Sequence, residues 1–163
     1  MSRFEALVLA RVVHVLGVVL WIGGVAFVTL ALLPAVRDLA EPQRRIELFE
    51  EVERRFARQA RWTTLLTGLS GFAMLWLLGA WGRYLEPRFW WIHAMTLVWL
   101  VFSLLLFVAE PLFLHAWFHR RAREAPDRTF ATVLRLHRIL LAVSLATLLG
   151  AVAGSHGWLI GAG

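Results

Sequence analysis

The sequence contains neither cysteine nor lysine. Without thiols the chain cannot form disulfides, iron–sulfur clusters, thiolate zinc sites or the covalent links of c-type haem. Without lysine its whole basic charge is arginine, 17 residues against 11 acids for a net +6. The three methionines are a small stock of soft ligands for a metal such as Cu(I). There is no phosphate-binding loop, no nucleophile elbow and no H-E-x-x-H zinc motif, so the chemistry carried by those motifs is not expected. Internal repeats and low-complexity tracts are lacking too. No cleavable signal peptide is expected, because the first apolar run is too long and no small-residue cleavage site follows a short core.

What the sequence does have is grease. Of its 163 residues 60% are hydrophobic, against the roughly 45–50% of soluble domains, and lipid can solvate what a core this small cannot hide. A basic balance in such a chain points to anionic lipid headgroups rather than nucleic acid. A spanning helix needs about 20 mostly apolar residues, and four segments qualify: about 6–36, 62–81, 89–118 and 131–160. The expected fold is therefore all-α, an integral membrane four-helix bundle forming a single transmembrane domain over 1–163. Between the first two spans, Ile46, Phe49, Val52 and Phe56 recur at helical spacing after Pro42, with Glu50–Arg54 and Glu51–Arg55 as i,i+4 pairs. This predicts a cytosolic amphipathic extension running into the second span.

Arginine sets the orientation. Most of the arginines flank the first and third connections, from Arg37 to Arg61 and from Arg120 to Arg138. The other side has Arg3, Arg11, Arg83 and Arg88. By the positive-inside rule both termini lie on the non-cytoplasmic side. Trp81, Trp90, Trp91 and Trp158 are expected at the outer boundary, and Trp62 and Trp117 at the inner one.

Ionisable groups within a bilayer are costly and so are functional candidates. Five of the six histidines fall within or at the ends of spans. At about 1.5 Å per residue, His14 and His93 sit at similar depths below the outer surface, with His156 near the outer end and His115, His119 and His137 toward the cytoplasm. Two imidazoles at one depth on two helices can hold a haem iron from both faces, and a bundle core is where such sites are built. His14 and His93 are the expected axial pair. Gly17 would let the macrocycle approach the first helix. Arg11 and Arg88 would hold the propionates. His93 and His115 share a helical face, so a second haem between His115 and His137 is the further expectation. Glu110, followed by Pro111, is expected to pair with an arginine such as Arg138 or to serve protons or a quinone. Gly150 and Gly154 form a G-x-x-x-G, read as close helix packing or a homodimer contact.

The run from His14 through Trp21 to Gly23 and Gly24 resembles the opening helix of CopD-like copper-resistance membrane proteins and of HemJ-type protoporphyrinogen oxidases. The run Trp90-Trp91-Ile92-His93 resembles the second HemJ histidine motif. Where HemJ-type enzymes carry lysine two residues after that histidine, this chain has Met95. The resemblance implies a four-helix haem b protein of the bacterial inner (cytoplasmic) membrane with His14 and His93 as its ligands. The function it implies is a bis-His cytochrome, with one or two haems, passing electrons between a quinone and a partner protein. The alternatives are a porphyrinogen or quinol oxidoreductase and a copper-handling membrane protein. No catalytic residue is assigned.

Overall fold

The computed structural model describes residues 2–39 and 41–158, with side chains throughout that range except at positions 39, 42, 43, 115 and 119. It is helical, with no strand among the described residues. The first helix, α1 (Arg3–Phe27), opens on a capping box. The Ser2 hydroxyl accepts from the Glu5 amide, and the Glu5 carboxylate accepts from the Ser2 amide. A π-helical turn, Val28–Leu32, leads into α2 (Leu33–Leu39). Then come α3 (Pro42–Leu78), two 3-10 turns (Trp81–Leu85 and Pro87–Phe89) and α4 (Trp90–Leu104). A long π-helical stretch, Leu105–Leu114, continues into α5 (His115–Glu124), and Ala125 turns the chain into α6 (Pro126–Ser155).

Prolines account for much of this punctuation. Pro42 and Pro126 open α3 and α6, where a missing N–H costs nothing. Pro34 and Pro111 instead lie inside continuous helix; Pro111 is within a π-widened segment and Pro34 directly follows one, and the wider turn relieves the clash of the ring with the turn before it. Gly79 ends α3 in the left-handed region at φ 62°. The Gly79 and Ala80 amides bond back to the Trp76 and Leu75 carbonyls in a Schellman cap.

Among the described residues three helical stretches are long and apolar enough to cross a membrane: Arg3–Asp38, Pro87–Leu114 and Pro126–Ser155. Their apolar side chains face outward. Only 11% of the most apolar window in Pro87–Leu114 is buried, which no water-soluble packing would leave so. The expected second span lies in the latter half of α3. Beyond Arg61 that helix is shorter and carries buried Thr63, Thr64, Thr67 and Ser70, so it falls below the same measure of length and hydropathy. The amphipathic extension is the first half of α3, continuous with the second. Ile46, Phe49, Ala57 and Ala60 are buried, and Arg55 pairs with Glu51 at 2.8 Å on the exposed side.

Helices α1, α3, α4 and α6 form an antiparallel bundle in which α1 and α4 each pack on both α3 and α6 and so stand across it from one another, while α3 and α6 also meet. The start of α1 and the end of α6 lie at one end of it, the terminal end. The core has two clusters. One, at the arginine-rich end, gathers Leu33, Ile46, Phe49, Phe118, Phe130 and Leu134; the other, mid-bundle, gathers Trp21, Ile22, Val25, Phe102 and Leu141.

The close approaches are rings seated over glycines. Trp90 and Trp91 on α4 occupy the space a Cβ would need at Gly150 and Gly154, Trp99 that at Gly68, and Phe56 that at Gly24. The G-x-x-x-G of α6 is thus used inside the chain. Trp91 is buried, not the boundary residue expected of it, whereas Trp62, Trp81 and Trp158 are exposed. A methyl at 154 must displace the Trp91 ring, so Gly154→Ala should lower stability by about 1–3 kcal/mol. Gly23, with nothing within 4 Å of a built Cβ, should accept alanine with a change below about 1 kcal/mol. Thermal unfolding of both variants in detergent, followed by circular dichroism, checks the contrast.

Candidate functional site

A cavity of about 280 Å3 lies among α1, α3, α4 and α6 in the half of the bundle nearer the terminal end. Trp21 and Ile22 line it from α1, Gly68, Gly71 and Phe72 from α3, Trp91 and Trp99 from α4, and Thr147 and Leu148 from α6. Arg83 and Tyr84 reach it from the first 3-10 turn. The walls are mostly apolar with a few convergent polar groups, and the volume sits near the lower bound for small-molecule sites.

Among the described residues His14 is the one histidine on this wall. Its Nδ1 stands 2.9 Å from the Thr67 carbonyl oxygen. A carbonyl only accepts, so Nδ1 carries the proton and donates it. Nε2 is then the basic nitrogen, and it makes no hydrogen bond among the described residues. Proteins commonly hold a metal-ligating imidazole this way, with a backbone oxygen fixing tautomer and ring angle. Gly71 gives the ring its room, since a Cβ there would stand 3.2 Å from His14 Cε1. On the same wall, the Trp21 indole N–H is buried without an acceptor among the described residues. An orphaned donor beside an apolar cavity suits a bound molecule that brings an acceptor.

The other expected site residues lie elsewhere. His93 is exposed and off the cavity wall. Its Nε2 donates to the Tyr84 carbonyl at 2.9 Å, and its ring meets the Tyr84 ring edge-on. It braces the turn that carries Tyr84, whose hydroxyl bonds Thr96 Oγ1 at 2.7 Å on the wall. His14 and His93 therefore do not face one another across the cavity. Gly17 is no macrocycle seat: it is buried against Thr67 and the Thr63 carbonyl, where α1 and α3 touch.

Neither Arg11 nor Arg88 lines the cavity. Arg88 pairs with Glu86 at 2.5 Å and lies over the Phe89 ring, and the arginine at the rim is Arg83. His156 is exposed and bonds the Val152 carbonyl of its own helix. His137 bonds the Val133 carbonyl one turn back and meets Phe49 edge-on in the other half of the bundle. The side chains of His115 and His119 lie outside the described residues, so the second-haem expectation is left without its partner there. No group of three or more His, Asp or Glu gathers as a metal site among the described residues.

Arg83, Tyr84, Met74 and Met95 are all on the cavity wall, and the sequence pattern gave none of them a place in the site. Rarity was the available signal. Tyr84 is the single tyrosine, and beyond Met1 the two methionines are Met74 and Met95.

Glu110 pairs with Arg61 on α3, not with Arg138. In the π register the amide of residue 111 would bond the Leu106 carbonyl, and proline has no amide to give. Arg61 Nε takes up that orphaned carbonyl at 3.1 Å while its Nη2 meets Glu110. One side chain thus satisfies both the carbonyl that Pro111 orphans and the carboxylate beside it.

No family model, no curated protein and no solved structure matches this chain.

Arg61→Leu strands a partly buried carboxylate and an unbonded carbonyl together, and should cost about 2–4 kcal/mol. Glu110→Gln leaves the Leu106 bond in place and should cost less than half as much. Chemical denaturation of the two variants in mild detergent reads the ratio; equal losses would mean that Arg61 serves Glu110 alone.

Proposed function

We propose that this chain is a four-span membrane haem protein, a b-type cytochrome of electron transfer, with His14 as an axial ligand through Nε2. The observation that carries the reading is the held imidazole. Its Nδ1 is fixed by the Thr67 carbonyl and its ring lines an apolar, aromatic-walled cavity within the bundle. The donor set fits a haem on one face. His14 offers an unprotonated Nε2, and Arg83 stands at the rim where a propionate would need a cation.

A bound haem supplies one-electron transfer at a potential set by its axial ligands and its burial. The chain's own residues would bind and orient it, and the tryptophans lining the cavity would keep water out. The resemblance of the His14 to Gly24 run to CopD-like and HemJ-type helices supports the same reading. So does the latter half of α3, which completes the bundle with three helices apolar enough to span. In this arrangement the terminal end faces away from the cytoplasm and the arginine-rich end faces it. A quinone in the bilayer and a partner protein at the outer face are the natural electron donor and acceptor.

Copper handling is the second reading. It draws on the presence of one imidazole and two thioethers, from Met74 and Met95, around the same cavity, since such soft donors suit Cu(I).

Purified protein should show b-type α and Soret bands in reduced-minus-oxidised spectra, and His14→Ala should lose most of its haem. Wild-type protein that stays free of haem after supplementation, yet retains stoichiometric copper by elemental analysis, would favour the second reading. Because the chain has no cysteine, topology is directly testable. A cysteine at Gly82 should react with an impermeant maleimide added to intact cells, and one at Asp127 should react only after lysis.

A further inference from the structure

We infer that the second axial ligand is the thioether of Met95, opposite His14, and not the imidazole of His93. The inference rests on the haem reading above and goes beyond it in naming the ligand, and with it the class of redox centre.

Ligands to the two faces of a flat ring must come from opposite walls at one level. His14 stands on α1, and α4 is the helix diagonal to it, so a ligand from α4 approaches from the far side. The level follows from Trp99, which packs over Gly68 and donates its indole N–H to the Thr64 carbonyl at 2.9 Å. One turn nearer the terminal end, α3 presents Thr67 and Gly71, where the His14 ring lies. One turn nearer the terminal end on α4 is Met95, and it lines the cavity.

The competitors fall away for separate reasons. His93 is exposed, and its Nε2 is taken by the Tyr84 carbonyl. The Tyr84 hydroxyl is bonded to Thr96. Met74 lines the cavity too, but it sits one turn along α3 from Gly71, on the wall where the His14 ring rests. A methionine in a core often only fills an irregular gap. Here both methionines beyond Met1 line this one cavity from different helices, and neither core cluster of the bundle contains a methionine.

A neutral, soft thioether favours ferrous iron, so a His/Met centre has a higher potential than a bis-His centre. The site would then accept electrons from a quinol readily and pass them to a high-potential acceptor.

The test uses the full-length protein in detergent, loaded with haem b. Ferric wild type should show the weak long-wavelength thioether-to-iron charge-transfer band, which bis-His haem lacks. Met95→Leu, close to volume-conserving, should lose that band, become five-coordinate when reduced and bind carbon monoxide. Met95→His should restore six-coordination with a midpoint potential below that of wild type. His93→Ala should leave the haem six-coordinate with the thioether band in place. Wild-type protein that binds haem without the band, together with His93→Ala protein that turns five-coordinate, would overturn the inference and leave the haem reading standing. Wild-type protein that takes up no haem would remove both. The wild-type band is read without any variant, so a poorly folding variant does not shield the proposal.

Discussion

Rings seated over glycines set how closely these helices approach. In lipid there is no hydrophobic force to press one apolar helix on another, so association depends on close packing and on hydrogen bonds between helices. Here α4 lays Trp90 and Trp91 over Gly150 and Gly154 of α6, and Trp99 over Gly68 of α3. α1 meets α3 through Gly17 and Gly24, against Thr67 and Phe56. The Trp99 indole adds a hydrogen bond to the Thr64 carbonyl, and the His14 ring adds one to the Thr67 carbonyl. Large-on-small contacts of this kind are directional. Each fixes a rotation of one helix against its neighbour, and those rotations decide which side chains reach the centre.

Backbone hydrogen bonding is the second constraint, because an orphaned carbonyl in lipid has no water to turn to. Pro34 and Pro111 both sit inside helices that continue past them. At Pro34 the wider turn includes Thr29, whose buried hydroxyl bonds the Val25 carbonyl at 2.6 Å. At Pro111 the solution comes from another helix: Arg61 bonds the Leu106 carbonyl and pairs with Glu110. The charge within the span thus has a structural origin. An arginine is needed for a carbonyl that proline orphaned, and a carboxylate beside that proline neutralises it.

The features legible in the sequence were those with a period or a cap: the apolar stretches, the helix starting at Pro42 and running on, and His14 as an unusual residue beside glycines. What could not be read was rotation. His93 lies near the depth of His14, yet depth says nothing about azimuth. The rotation of α4 is set by where Trp90 and Trp91 find glycines on α6, a pairing between segments far apart in sequence. That rotation carries Met95 to the cavity and leaves His93 to the Tyr84 turn. The same limit explains Gly17, whose freedom was read as room for a ligand but is used by Thr67. It explains Glu110 as well, whose partner Arg61 comes from a helix that periodicity alone cannot orient.

The same packing accounts for the cavity itself. At the arginine-rich end Phe49, Phe118 and Phe130 point inward and fill the space between helices. Toward the terminal end the large rings of α4 are turned sideways, Trp90 and Trp91 toward α6 and Trp99 toward α3. A ring placed over a neighbour's glycine is a ring withdrawn from the bundle centre, so strong lateral contacts and an open centre are two results of one arrangement. Into that opening the chain puts few polar groups: an imidazole fixed by a carbonyl, a tyrosine tied to a threonine, an indole N–H without an acceptor and an arginine at the rim. Enlarging any one of these glycines would push its ring back toward the centre. The helix contacts and the binding space would then be lost together, so in this chain the residues that hold the bundle closed are also the residues that keep its site open.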